Sequence, residues 1–300
     1  MKIRIGTRGS NLALTQTNWV ASQLKKVFPN LETEVIIIKT KGDKILDKAL
    51  DKIGDKGLFV KELEEALLGQ EIDIAVHSMK DMPTAHPEGL IIAPVPQRAD
   101  HRDVLILKNG YTSFSDIPKG GIVGTGSKRR CYQLAALRPD LTFEPIRGNI
   151  ETRIKKLETM NLDAVVLAAA GILRLGLENV ISDYMDEDMC LAAPAQGALA
   201  IQHRVGDKAV MDLLNGIADK EANIQITAER SFLKHTEGSC HVPVGAYAQL
   251  IGDNMKLTGL FGTEDGSQMV KKTIQGPSAD GQALGKELAK DILKELGDER

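Results

Sequence analysis

The residues best suited to chemistry in this sequence lie in the segment 72–81, Ile-Asp-Ile-Ala-Val-His-Ser-Met-Lys-Asp. Isoleucine and valine occupy alternate positions in its first half, which is typical of a short buried strand. Pro83 disfavours a continuation as helix, so the polar residues 77–81 are predicted at the carboxyl end of that strand. Ligands bind at this end of open α/β sheets. A solvated loop with an incidental ion pair explains the segment, taken alone, equally well.

Two predicted turns share one design, in which a strand is followed by glycines and hydroxyls and then by a helix, with cations close by. They are residues 6–10, Gly-Thr-Arg-Gly-Ser, and residues 121–130, Gly-Ile-Val-Gly-Thr-Gly-Ser-Lys-Arg-Arg. Such turns present free backbone N–H groups to an anion at the helix start. Either turn alone is typical of an ordinary strand-to-helix connection, but their recurrence favours a function. Further cations follow the predicted strands 142–146 and 163–167.

Six arginines fall just after predicted strands or at predicted helix starts. They are Arg8, Arg129, Arg130, Arg147, Arg153 and Arg174. Arginine remains charged and binds carboxylates through a bidentate fork, so this group predicts a ligand with several carboxylates or phosphates. Asp81 would lie among these cations, which favour its ionised form and suit it to stabilising a cationic intermediate or directing an N–H group. No aromatic stripe interleaves with the arginines, which argues against single-stranded nucleic acid.

The composition is that of a soluble globular protein, with 42% hydrophobic and 26% charged residues. The formal net charge of −3 gives no global signal for nucleic acid or anionic membrane, and no apolar run approaches the length of a membrane span. Residues 1–20 lack the apolar core of a signal peptide. Three widely spaced cysteines make neither a disulfide framework nor a zinc site. We therefore expect a protein of the reducing cytoplasm without a metal centre.

Cys240 is the cysteine best placed for chemistry, because it lies in a loop that contains glycine. Its thiol could serve as a nucleophile or as an attachment point. His241 is its neighbour, but adjacent residues in an extended segment point to opposite sides, so the pair is not expected to form a catalytic dyad. Cys131 and Cys190 lie in or near apolar segments and are predicted to be core or boundary residues.

Alternating strands and helices over the first two thirds of the chain predict the α/β class. The strands Asp73-Ile-Ala-Val and Asp163-Ala-Val-Val each follow a charged helix, and this echo predicts two related α/β domains. A further strand at 198–202 is predicted to return to the first of them. A helix at 220–235, three strands and a final helix predict a small C-terminal α+β domain. The predicted domains are residues 1–97 with 198–216, residues 98–197 and residues 217–300.

Several motifs, in order along the chain, resemble the porphobilinogen deaminase family, also called the hydroxymethylbilane synthase family. They are Gly57-Leu-Phe-Val-Lys-Glu62, Ala75-Val-His-Ser-Met-Lys-Asp81, Val123-Gly-Thr-Gly-Ser-Lys-Arg-Arg130, Arg147-Gly-Asn149 and the loop around Cys240. The resemblance covers essentially the whole chain. It implies two α/β domains similar to the lobes of type II periplasmic binding proteins, with the active site in the cleft between them. It also implies a third domain that carries the cysteine loop.

The resemblance implies a transferase of porphyrin, that is haem and tetrapyrrole, biosynthesis. The family joins four porphobilinogen molecules head to tail, with loss of ammonia at each step, and water then releases hydroxymethylbilane. The chain grows on a dipyrromethane cofactor built from two porphobilinogen units and held by a thioether, for which Cys240 matches the attachment cysteine. Asp81 matches the catalytic carboxylate, which would hydrogen-bond pyrrole N–H groups and stabilise the azafulvene cation formed as ammonia leaves. A monomer without a nucleic-acid or membrane partner is expected.

Each pyrrole ring of the substrate carries an acetate and a propionate, which accounts for the many cations. The resemblance implies these further cofactor contacts: Lys80, Thr125, Ser127, Arg129, Arg130, Arg147 and Gly148. It implies these substrate contacts: Arg8, Ser10, Lys52, Lys56, Phe59, Arg98, Arg153 and Arg174. The segment from about 41 to 56 matches a mobile lid. The helical spacing of Phe59 suits a core residue equally well.

Two other functions stay open on the residues alone. A two-lobed binding protein for a polycarboxylate would share the fold but would need neither Cys240 nor Asp81. A thiol-dependent hydrolase would need a histidine presented to Cys240 from elsewhere in the fold. The sequence also departs from the family at Gly126, where serine is frequent, and at Ser239, where glycine is common. Neither departure removes a group to which chemistry is assigned.

Overall fold

The structure is a computed structural model that describes residues 1–44, 60–238 and 242–297. The chain divides into two compact units, residues 1–99 with 197–223 and residues 100–196 with 224–300.

The strands and helices alternate along most of the chain. In chain order they are β1 (Lys2–Thr7), α1 (Asn11–Val27), β2 (Glu32–Ile37), α2 (Lys41–Lys44), α3 (Lys61–Leu68), β3 (Ile74–Ser78), β4 (Leu90–Ile92), β5 (Asp103–Leu107), β6 (Ile122–Gly124), α4 (Lys128–Leu137), β7 (Thr142–Glu144), α5 (Ile150–Thr159), β8 (Ala164–Ala168), α6 (Ala169–Arg174), β9 (Asp183–Tyr184), β10 (Leu199–Arg204), α7 (Lys208–Asn215), α8 (Lys220–His235), β11 (Val244–Ile251), β12 (Asn254–Gly262), β13 (Met269–Pro277) and α9 (Gly281–Glu295). Short 3-10 turns occur between them, including Met79–Asp81 directly after β3.

A five-stranded mixed sheet forms the centre of the first unit, with the strand order β2-β1-β3-β10-β4. β1 runs parallel to β2 and β3, whereas β10 runs antiparallel to β3 and β4. Val20 and Leu24 of α1 pack on Ile3 and Ile5 of β1, because residues three or four apart share one face of a helix. The prediction that residues 198–202 return to the first sheet is confirmed by the place of β10.

A second mixed sheet, with the strand order β7-β6-β8-β5-β9, lies in the second unit. β6 runs parallel to β7 and β8, and β5 runs antiparallel to β8 and β9. Both faces of this sheet are covered, since Leu105 and Val166 belong to one apolar cluster while Val104 and Val165 belong to another. Successive residues of a strand point to opposite faces, so β5 and β8 read as continuous apolar runs.

Two aspartates occupy the same position in the two sheets. The Asp73 carboxylate accepts a hydrogen bond from the backbone N–H of Arg4 at 2.8 Å, and that of Asp163 accepts one from Ile122, also at 2.8 Å. Each aspartate therefore ties the start of its own strand, β3 or β8, to the neighbouring parallel strand. The sequence similarity between the strands that follow Asp73 and Asp163 corresponds to this shared hydrogen bond to a neighbouring strand.

The C-terminal part of the second unit is an antiparallel meander of β11, β12 and β13. Phe232 of α8 and Leu288 of α9 pack with Met255 and Leu257 of β12 in one apolar cluster. The predicted fold class, two α/β sheets followed by a small α+β domain, is confirmed. The domain boundaries given above stay predictions.

Candidate active site

The carboxyl ends of β1 and β3 lie at the same edge of the first sheet, because the two strands are parallel neighbours. β1 is followed by the turn that holds Arg8 and Ser10. The Ser10 hydroxyl caps α1 by accepting a hydrogen bond from the backbone N–H of Ala13 at 3.3 Å. The predicted glycine-and-hydroxyl turn therefore opens a helix, as its sequence indicates.

Asp81 ends the 3-10 turn that follows β3, and its side chain is exposed. Within the part of the chain that the structure describes, no group donates a hydrogen bond to its carboxylate. Ser78, the last residue of β3, is fixed from α1 by Gln16, whose Nε2 donates to the Ser78 hydroxyl at 2.9 Å. The strand end is thus held firmly while the carboxylate beyond it stays open to a ligand.

His77 lies inside β3 and is buried. Burial, with a smaller contribution from the charge of Arg8, lowers the pKa of His77 to about 4. The imidazole is therefore neutral at physiological pH and contributes no charge to this edge of the sheet. Lys80 and Arg98 are half-buried residues of the same unit.

The second sheet has an equivalent edge, where β6 ends at the turn that leads into α4. The Ser127 hydroxyl caps α4 by accepting a hydrogen bond from the backbone N–H of Arg130 at 3.5 Å. Thr125 is buried, and its hydroxyl accepts from the backbone N–H of Ser127 at 3.3 Å. Both hydroxyls predicted to contact the cofactor therefore also order the turn.

Arg129 and Arg130 lie inside the protein, each with 6% of its surface exposed. Arg129 Nη1 donates to Asp103 Oδ2 at 2.7 Å, and Arg130 Nη2 donates to Asp103 Oδ1 at 2.6 Å. Burial alone would raise the pKa of Asp103, but the charges of the two arginines hold that pKa far below its ordinary value. The carboxylate is therefore ionised at every physiological pH.

Cys190 belongs to the same buried group. Its Sγ lies 3.6 Å from Asp103 Oδ2 and 3.5 Å from Arg129 Nη1. Burial, together with the Asp103 charge, raises the pKa of the Cys190 thiol to about 12, so the thiol is protonated and not nucleophilic. Cys131 is half-buried in α4. Both cysteines are core or boundary residues, as predicted.

β7 leads into a turn at Arg147 and Gly148. The Nη1 atom of Arg147 is buried and has no hydrogen-bond partner among the described residues. Gly148 has a φ of +112°, and a Cβ there would lie 2.8 Å from Thr152 Cγ2, so only glycine fits. Arg153 Nε closes the turn by donating to the Gly148 carbonyl at 2.8 Å.

β8 leads directly into α6, whose last residue is Arg174. This side chain is half-buried, and burial lowers its pKa to about 10, so the guanidinium still carries its charge at neutral pH. The structure therefore brings Thr125, Ser127 and Arg147 to one edge of the second sheet, with Arg174 one short helix further on.

Several of the predicted site residues cannot be placed. Cys240, Lys52, Lys56 and Phe59 lie outside the described residues.

Residues 3–212 match the model described as "Porphobilinogen deaminase, dipyromethane cofactor binding domain", and residues 223–294 match "Porphobilinogen deaminase, C-terminal domain". The chain belongs to the porphobilinogen deaminase family. Porphobilinogen deaminase of Clostridioides difficile is 53% identical over 98% of both chains, and that of Clostridium novyi is 52% identical over 99% of this chain and 100% of the relative.

Two solved structures also show a partial likeness. The VFT2 domain of BvgS from Bordetella pertussis is 15% identical, covers 77% of this chain and 91% of its own, and has a TM-score of 0.44. A periplasmic binding protein of Salmonella typhimurium is 18% identical, covers 74% of this chain and 93% of its own, and has a TM-score of 0.40.

Membership of the porphobilinogen deaminase family confirms the predicted activity, a transferase of tetrapyrrole biosynthesis that polymerises porphobilinogen on a dipyrromethane cofactor. The donors at the second sheet edge fit this cofactor, whose two rings each carry an acetate and a propionate. Arg147 in particular holds a buried N–H group without a partner among the described residues, and such a group is stabilised when a carboxylate accepts its hydrogen bond.

Sequence reasoning missed two residues that hold the site in place. Asp103 directly precedes the apolar run 104–107, and this place at the start of a buried strand is the signal that could have indicated a buried counter-ion for Arg129 and Arg130. No local sequence pattern marks Gln16, because its hydrogen-bond partner Ser78 is 62 residues away. Among the described residues, no helix is long and apolar enough to span a membrane.

Proposed function

We propose that Asp81 is the catalytic carboxylate of this member of the porphobilinogen deaminase family. The observation that carries the proposal is its placement: an exposed acid, accepting no hydrogen bond from any described residue, one turn beyond the carboxyl end of β3. Arg8 and Ser10 follow the parallel neighbour β1 at the same edge. A carboxylate left open beside donors for the substrate's own carboxylates is suited to act on the pyrrole ring between them.

The proposed reaction joins four porphobilinogen molecules head to tail, releases one ammonia for each, and ends when water frees hydroxymethylbilane. Asp81 accepts hydrogen bonds from pyrrole N–H groups and so orients the rings. Its negative charge stabilises the positive charge that develops on the ring as ammonia departs. The same carboxylate can take up the proton that leaves the coupled ring carbon.

When bound, the dipyrromethane supplies the terminal ring to which the first substrate molecule is joined. The residues proposed to hold it are Cys240 through a thioether and Lys80, Thr125, Ser127, Arg129, Arg130, Arg147 and Gly148 through polar contacts. Arg147 has the clearest support, because its buried Nη1 has no partner among the described residues. Arg129 and Arg130 are oriented by Asp103, which restricts the N–H groups that each can offer.

The substrate carboxylates are proposed to bind a second set of residues, namely Arg8, Ser10, Lys52, Lys56, Phe59, Arg98, Arg153 and Arg174. Arg153 is proposed as a donor at the turn that it supports through Nε, which donates to the Gly148 carbonyl. Arg174 is held at a helix end in a partly buried site, where a charge-assisted hydrogen bond is stronger than in water.

The proposal also covers the location, the oligomeric state and the partners of the protein. We infer a cytoplasmic monomer that acts on a small molecule and does not bind nucleic acid, with domains at residues 1–97 with 198–216, 98–197 and 217–300. The net charge of −3 and the absence of an aromatic stripe among the arginines support the exclusion of nucleic acid.

The test of the cofactor assignment is an intact mass under denaturing conditions. We expect wild-type protein to carry extra mass equal to two linked porphobilinogen-derived rings, and Cys240→Ala to lack it. Cys131→Ala is the matched control and should retain the mass, because Cys131 lies within α4. Incubation of an unmodified preparation with porphobilinogen should add the same mass. A wild-type chain that gains no covalent mass would contradict the assignment and would favour a reversible binding protein.

A further inference from the structure

Asp103 is the shared anion of the two adjacent arginines of α4. It is the first residue of β5 and has no exposed surface. Each of its carboxylate oxygens is engaged by a different guanidinium group, and Oδ1 also accepts from Gln196 Nε2 at 2.9 Å. A carboxylate held by several charge-assisted bonds in a dry site cannot rotate without breaking them. Asp103 therefore sets the orientation of both arginines.

The two arginines differ in which of their N–H groups are already hydrogen-bonded to described residues. Arg130 donates through Nη2 to Asp103 and through Nη1 to the Val166 carbonyl at 2.9 Å, and its Nε is buried without a partner among the described residues. Both terminal amino groups of Arg130 are thus engaged within the protein. Arg130 therefore connects α4 to β5 and to β8.

Arg129 is bound through one nitrogen only. Its Nη1 donates to Asp103 and to the Leu191 carbonyl, each at 2.7 Å. Across the described ranges, no acceptor takes a hydrogen bond from its Nε or Nη2. These two nitrogens form one edge of the planar fork, and that edge matches the two oxygens of a carboxylate.

The charges explain why one acid serves both arginines. Two guanidinium groups next to each other in a buried site repel, and the repulsion is not screened by water. With Asp103 between them the three groups carry one net positive charge. That single charge balances one carboxylate of a ligand, so a ligand can bind without leaving a buried charge unpaired.

We propose that Asp103 is a positioning residue, which holds Arg129 with its Nε and Nη2 edge directed to one carboxylate of the dipyrromethane cofactor. Asp103 acts through Arg129 and does not touch the ligand. Arg130 completes the bridge by fixing the second oxygen of Asp103 to the sheet. This inference rests on the proposed function, because it takes the cofactor as the ligand of Arg129.

The test compares Asp103→Asn with Leu105→Ala, both produced in cells that make no porphobilinogen. Leu105 lies two residues along the same strand and is equally buried, so its variant reports what damage to this core does by itself. Folding is checked by circular dichroism and by the melting temperature of each apoprotein. Porphobilinogen is then added over a range of concentrations, and the covalent cofactor is measured by intact mass.

We expect Asp103→Asn to raise the porphobilinogen concentration for half-maximal cofactor attachment at least tenfold above the value for Leu105→Ala. An amide has one acceptor oxygen and no charge, so Arg129 loses its fixed direction and the two arginines repel. Equal half-saturation in the two variants would overturn the proposal. A wild-type protein that gains no mass would instead count against the proposed function.

Asp103→Glu tests the positioning role of Asp103 if the asparagine variant does not fold. Glutamate keeps the charge that balances the arginines but displaces the carboxylate by about one carbon–carbon bond, and misplacement of about 1 Å is costly at a pre-organised site. We expect a folded variant with half-saturation raised about tenfold. A wild-type value in this variant would show that Asp103 supplies only charge balance, and the positioning role would be wrong.

Discussion

Replacing Asp81 by asparagine separates catalysis from folding in this protein. The side chain is exposed and accepts no hydrogen bond from the described residues, so its replacement by an isosteric amide removes no interaction that holds the fold. We expect the melting temperature to change by less than about 2 °C, as for other exposed positions. The covalent cofactor should be present, because Asp81 belongs to the first unit, in the turn after β3, whereas Arg129 and Arg147 lie in the second unit.

Turnover should fall far more than stability. The amide cannot stabilise the positive charge that develops as ammonia leaves, and removal of one such stabilising group lowers turnover by about 10²- to 10³-fold. The assay is ammonia release from porphobilinogen, followed together with intact mass and a thermal melt. Glu88→Gln is the control, since Glu88 is an exposed acid of the same unit and should keep wild-type turnover. Turnover of Asp81→Asn within twofold of wild type would refute the catalytic role.

Three further predictions follow from buried groups. Arg129→Leu should impair cofactor loading or early chain growth, measured by intact mass, and should also lower the melting temperature because Asp103 loses one of its two cations. His77→Gln should reduce the loss of stability between pH 6.5 and pH 4. In that window the unfolded wild-type chain takes up a proton at His77, whereas the folded chain, in which the pKa of His77 is about 4, does not, so the wild-type fold becomes less stable as the pH falls. Urea unfolding at pH 7 and at pH 5 measures the difference between the two proteins. Gly124→Ala should destabilise the second unit by about 1–3 kcal/mol in urea unfolding, because its Cβ would lie 2.6 Å from Leu162 Cδ1; an unchanged midpoint would show that Leu162 can move aside.

Much of the fold was predictable from local patterns. The helix predicted at 220–235 has the same ends in the structure, because apolar spacing and helix length are properties of the segment itself. The caps at Ser10 and Ser127 follow for the same reason, since a hydroxyl before a helix finds its partner three residues on. The family motifs also predict roles for Asp81 and Cys240, and both roles stay predictions.

Only the tertiary structure decided the burial and the hydrogen-bond partners of each site residue. The sequence marks Arg129, Arg130 and Arg147 alike as cations after strands, yet two of them are bound to Asp103 and one holds a buried N–H group without a partner among the described residues. Asp103 is 26 residues from Arg129, and it meets the arginines because β5 pairs with β8 in the middle of the second sheet. Pairing of distant strands depends on the whole chain, and no local pattern contains it. The sequence by itself thus determined the chemical groups and their order, whereas burial and pairing in the folded sheets decided which of those groups stay free to bind.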